Sequence, residues 1–107
     1  MLLETPYKNG DVVTLKLSSG EELIGRLEEE KAEAYLIKTP LTLVMAQQGL
    51  GMQQYMFTAD PDKKIPFAKN HVTVITKTGK QFAEAYQQQT SGLVTAPAGL
   101  GDALKTE

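Results

Sequence analysis

The stretch from Val12 to Leu43, VVTLKLSSGEELIGRLEEEKAEAYLIKTPLTL, decides the fold. Val13, Leu15 and Leu17 alternate with Thr14 and Lys16, the two-residue period of a half-buried strand. Ser18-Ser19-Gly20 follows as a turn, because glycine accepts positive φ and serine bonds to its own backbone. A second alternation puts Leu23, Gly25 and Leu27 on one face and Glu22, Ile24, Arg26 and Glu28 on the other. Gly25 thus falls where an apolar side chain is expected. A glycine inside a strand marks a bulge, a bend or a close approach of another backbone, so the spacing predicts a strand that folds over at Gly25.

Working outward, Ala34 to Ala46 is a long β-favouring run interrupted by Pro40, which belongs at an edge or a bend. Gln47 to Gly51 is expected to turn, Met52 to Thr58 to form a strand, and Ala59 to Asp62 to loop. Lys63 to Phe67 is a candidate edge segment, and His71 to Thr76, rich in β-branched residues, the last strand. The expectation is five antiparallel strands over about 11–76. From Thr78 the period changes. Thr78 and Gln81 have capping-box spacing, and Phe82, Ala85, Tyr86 and Gln89 recur at helical intervals, which predicts a helix over about 79–91 with Phe82 and Tyr86 packed on the sheet. Gly92 is the expected stop. Residues 1–92 then make one domain and 93–107, with Pro97, Gly99 and Gly101, a mobile tail. Met1 to Gly10 is broken by Pro6 and allows at most one helical turn before the turn at Asn9-Gly10-Asp11.

Composition narrows the function. Hydrophobic residues at 41% and charged residues at 22% suit a globular domain of this length. Without cysteine there is no disulfide, thiolate metal site or cysteine nucleophile. His71 is the sole histidine, Asp60 and Asp62 lack the spacing of a calcium loop, and Glu28-Glu29-Glu30 diverge on a strand. No nucleotide-binding or hydrolase fingerprint is present, so neither an enzyme nor a cofactor or metal is expected. With no apolar run of membrane length and no signal-like leader, a cytoplasmic protein without membrane partners is expected. Net charge is −2, against a generally basic nucleic-acid binder. Its distribution is uneven: six glutamates stand between Glu21 and Glu33, and five lysines without an acid between Lys63 and Lys80.

The pattern L-x-L-x-x-G-x-x-h-x-G-x-L from Leu15 through Gly20 and Gly25 to Leu27, followed by Tyr35-Leu36-Ile37-Lys38 and Pro40-Leu41, resembles the first motif of the Sm/Lsm family. The chain is also similar to small Sm-like proteins of marine phage type. The resemblance implies a strongly bent, five-stranded, Sm-like (SH3-like) small barrel, here with its helix at the C-terminal rather than the N-terminal end. It also implies a closed homo-oligomeric ring, with about five to seven subunits by head-to-tail closure, that binds single-stranded RNA or single-stranded DNA. The family's loop aspartate aligns with Lys31 and its asparagine with Tyr35, and the Arg-Gly of its second motif is replaced by Lys69-Asn70 before His71. Carried over by position, the nucleic-acid residues are Lys31, Tyr35, Lys69, Asn70 and His71, types able to hold phosphate, stack and read a base edge. The ring contact falls on Met52, Met56, Phe57, Val72, Val74 and Ile75. Two alternatives stay open: Tyr35 is core and Asn70 merely turns the chain, or the domain serves protein contacts or phage assembly without nucleic acid.

Overall fold

The computed structural model describes residues 6–60 and 62–94. It is mainly β, an antiparallel sheet followed by one helix. The strands are β1 (Val12–Leu17), β2 (Glu22–Glu30), β3 (Ala34–Ala46), β4 (Gly49–Gln54), β5 (Lys64–Ala68) and β6 (Val72–Lys77), and α1 runs from Lys80 to Val94. The order is β4-β3-β2-β1-β6, with β5 paired to β3 off that path. Six strands replace the expected five, because Lys64–Ala68 pairs fully with Ala34–Lys38. No ladder joins β4 to β6, so the sheet is not closed.

β3 is the spine. One edge pairs with β2, while the other pairs with β5 through Lys38 and with β4 from Leu41 onward. The change falls at Thr39-Pro40, where Thr39 takes a φ of 51°, a left-handed conformation costly for a β-branched residue. Across the same point the β2 register slips: Ile24 faces Leu41 but Arg26 faces Lys38, leaving one extra residue in β3. Gly25 lies opposite this bulge. A Cβ there would overlap the Ile37 Cγ2 and meet the Lys38 carbonyl oxygen and the Pro40 Cα, each at 3.4 Å. Of the irregularities expected at Gly25 and Pro40, a register shift and a close approach are present, and glycine is required because the buried Ile37 side chain occupies the place of a Cβ.

The bulge also explains why β4 ends at Gln54 and not at Thr58. Beyond Pro40, the place beside β3 is taken by β5. The chain leaves the sheet at Tyr55, whose N–H donates to the Pro40 carbonyl at 3.0 Å. The preceding hairpin is tighter than expected: Ala46 pairs with Gly49, and Gly49 carries a φ of 127°.

Both faces of the sheet bury apolar groups. Val13, Leu15, Leu17, Leu23, Leu27, Tyr35 and Ile37 form one core. Val12, Ile24, Leu41 and Tyr86 form the other, beneath α1. Ile24, read as outward, is thus covered by the helix. Of the two aromatic residues assigned to the helix contact, Tyr86 is 1% exposed while Phe82 is 41% exposed, and Ala83 packs in its place. The Thr78 hydroxyl, expected to cap α1, is buried against Thr14 Oγ1 at 2.9 Å, and the helix ladder opens with the Ala83 N–H donating to Gly79 O. Gly92 does not stop the helix, which continues to Val94. Of the tail expected over 93–107, residues 93 and 94 belong to the helix, and 95–107 lie outside the described residues.

Tyr86 ties helix to bulge. Its hydroxyl lies 2.8 Å from the Lys38 carbonyl oxygen and 3.0 Å from that of Thr39, the acceptors at the break in the ladder. Burial pushes the phenol from 10.0 up to about 12, opposed by Arg26. A phenol with a raised folded pKa keeps its proton when the unfolded chain has lost it. Its contribution is complete below pH 10 and falls as pH rises toward 12.

Two outcomes are expected in urea unfolding. Gly25→Ala lowers stability by about 1–3 kcal/mol, because Ile37 is wholly buried and cannot yield cheaply. Tyr86→Phe costs about 1 kcal/mol at neutral pH and flattens the fall of stability above pH 10. An unchanged alkaline limb in Tyr86→Phe would assign that fall to another group.

Candidate nucleic-acid interface

Two loops distant in sequence meet at one end of β3. The β2–β3 loop is residues 31–33, and the β5–β6 connection is a 3-10 turn, Lys69–His71. Ala34 pairs with Ala68, and the Lys69 N–H donates to the Glu33 carbonyl at 2.9 Å, so the turn is stitched to the loop. Ala32, Glu33, Ala68, Lys69 and Asn70 line an open cleft of about 410 Å³.

Of the residues assigned to nucleic acid, Lys69 and Asn70 sit on this cleft. Lys31 is exposed on the adjoining loop, 3.3 Å from Glu29. His71 is exposed at the far end of the turn and lines no part of the cleft; its carbonyl accepts the Ser18 N–H at 2.8 Å. Tyr35 is 9% exposed and belongs to the first core, so in this conformation its ring has no free face for a base. One side carries the Lys69 ammonium, 5.1 Å from the ring centroid, and Tyr7 meets the ring edge-on at 6.4 Å.

Sequence reading missed Glu30 and Tyr7. Glu30 pairs directly with Tyr35 across the hairpin, accepting from the Lys69 ammonium at 2.6 Å through one oxygen and from the Tyr7 hydroxyl at 3.2 Å through the other. Burial first, then Tyr35 and Glu30, push the Tyr7 phenol upward, so it remains a donor. The available signal was the hairpin register, which sets Glu30 opposite Tyr35 once the loop is fixed at 31–33. Electrostatically the site is partly compensated: Glu29 is shared by Lys31 and Lys64, and Glu30 answers Lys69.

The residues assigned to subunit contact divide likewise. Met52 packs on the core under α1, and Val72 and Ile75 pack on the other core. Met56, Phe57 and Val74 are outward, at 42%, 70% and 52% exposure. Among the described residues no three His, Asp or Glu side chains gather as a metal ion would require, and no helix is long and apolar enough to cross a membrane.

No family model matches the chain, and none of the curated proteins matches it in sequence.

The contacts around Tyr35 make its replacement a measure of packing. Tyr35→Ala is expected to cost about 3 kcal/mol in thermal or denaturant unfolding, as for a large buried aromatic. Lys69→Gln is expected to cost no more than about 1 kcal/mol, because its ion pair is about one-third exposed and screened. Equal losses in the two variants would contradict this division.

Proposed function

We propose that the chain is an Sm-like module that closes head-to-tail through its outer strands into a homo-oligomeric ring and holds single-stranded nucleic acid, RNA before DNA, at the 31–33 and 69–71 loops. The observation that carries it is the joining of those loops, more than thirty residues apart in sequence, by Lys69 N–H to Glu33 O, with Asn70 beside them. β4 and β6 end the sheet, and exposed edges invite pairing with another chain. Met56, Phe57 and Val74 supply outward apolar surface near them. Pairing of one protomer's β4 with the next one's β6 would complete a small-barrel ring of the resembled family, repeating the lysines around a pore. Binding there relies on multiplicity, since each Lys69 is held by Glu30 and must exchange it for phosphate. Chemistry is assigned to none of these residues, and the domain acts by positioning.

A second reading, assembly through protein contacts alone, is favoured by the same ion pairs, which leave the loop lysines partly compensated. Light scattering and an oligonucleotide titration separate the two. A closed oligomer is expected at micromolar protein, with short single-stranded RNA binding along a steep salt slope and duplex DNA poorly. Lys69→Glu is expected to abolish most RNA binding and leave the oligomer intact. A monomer removes the ring; an oligomer whose Lys69→Glu variant binds RNA as the parent does leaves the protein-contact reading.

A further inference from the structure

On the side of the sheet covered by α1, opposite the core that holds Tyr35, a cleft of about 180 Å³ opens between the helix and the β2–β3 ladder. Arg26 and Lys38 line its floor, and Gln87 and Thr90 its helical wall. Arg26 and Lys38 are register partners, so their side chains leave the same face directly across the ladder. Like charges in that position destabilise a sheet. Both are half-buried, and among the described residues neither forms an ion pair. Lys31 and Lys64 share Glu29 and Lys69 has Glu30; among the described residues these two cations have no such partner.

We propose that this cleft is an anion site, built for a phosphate group held between Arg26, Lys38 and the Gln87 amide. Arg26 has the capacity: one guanidinium nitrogen donates to the Gly10 carbonyl at 2.8 Å, leaving the rest of a five-donor fork for a second partner. Lys38 contributes a half-buried ammonium, and Gln87 an exposed amide at the mouth. The Thr90 hydroxyl donates back to the Tyr86 carbonyl at 2.8 Å and shapes the wall without donating to the ligand. Two opposing charges stand near. Glu28, next on this face of β2, is close enough to raise the Tyr86 phenol, but it does not line the cleft and, among the described residues, forms no ion pair with either cation. The carboxyl end of α1 presents about half a negative charge, and only over its last turn. An anion in the cleft relieves the cross-strand repulsion that the empty site sustains. The site shares no residue with the loops 31–33 and 69–71, so it does not depend on the function proposed for them.

The phosphate has two sources, a free phosphate or nucleotide and the backbone of a single strand. Amide chemical shifts of the full chain are to be followed on adding inorganic phosphate, a nucleoside monophosphate and a short single-stranded oligonucleotide, each at ionic strength matched with chloride. Saturable shifts at Lys38 and Gln87 are expected, weakened at least about tenfold in Lys38→Gln and in Gln87→Glu, as loss of a charge-assisted contact implies. Gln87→Glu should melt with the parent, because among the described residues the Gln87 side chain makes no structural bond, Lys38→Gln should melt at or above it, because it removes the cross-strand repulsion, and Lys69→Glu should leave the shifts unchanged. Saturation by inorganic phosphate or the mononucleotide identifies the free source. Saturation by the oligonucleotide alone, lost in Lys38→Gln, identifies the backbone. Shifts that follow ionic strength only, or variants that bind phosphate as the parent does, overturn the site.

Discussion

The close approach of β2 to β3 at Gly25 is the constraint on which the rest of the structure depends. With no Cβ at that position, Ile37 fits against the β2 backbone and β3 can carry an extra residue at Thr39-Pro40. That residue reverses which side chains of β3 face which side. Tyr35 and Ile37 enter the first core, whereas Leu41, six residues after Tyr35, enters the second. Without the reversal, a regular alternation would send the odd-numbered residues of β3 all to one side, and the surface beneath α1 would lose Leu41. The same break divides the outer edge of β3 between β5 and β4. One thirteen-residue strand thereby organises three neighbours.

A break in a ladder leaves backbone acceptors to satisfy, and burying them unpaired is costly. Tyr86 meets that need from the helix, its hydroxyl within hydrogen-bond distance of both Lys38 O and Thr39 O. The helix is therefore a part of the bulge's hydrogen-bonding scheme as well as an apolar cover. This accounts for the unequal fate of its two aromatics. Tyr86 has a polar end that the bulge can use and is buried, while Phe82, lacking one, stays 41% exposed.

Much of this was legible in local pattern. The strands of the first hairpin, the irregularity at Gly25, the edge segment before Ala68 and the C-terminal helix follow from period and from glycine and proline placement. The end of β4 was not, because Met52 to Thr58 is β-favouring throughout and only competition from β5 for the side of β3 stops it at Gln54. Ile24 was misassigned because strict alternation gives a strand one buried face, whereas this sheet has two. At the candidate interface, the resemblance implied that the 31–33 and 69–71 loops work together, and the structure joins them by the Lys69 N–H to Glu33 O bond, with Lys31 off the cleft. The burial of Tyr35 and the capture of Lys69 by Glu30 depend on hairpin register, which a single sequence does not fix where a bulge intervenes.

The cations of this chain fall into two physical kinds. At the loops Lys31 rests on Glu29 two residues away and Lys69 on Glu30 from across β3, so each field is reduced at short range, and each acts on a distant anion only after exchange. Under α1, Arg26 and Lys38 sit side by side, partly desolvated and, among the described residues, without an ion pair. Partial burial makes each charge count for more than it would in water, so the ladder bears a repulsion that folding alone does not require. Uncharged residues would pair there more cheaply. The ladder holds because the bulge fixes both side chains in register, and Tyr86 fixes the bulge. The feature that creates the second core thus also sets two unpaired cations beside a cleft large enough for a small anion.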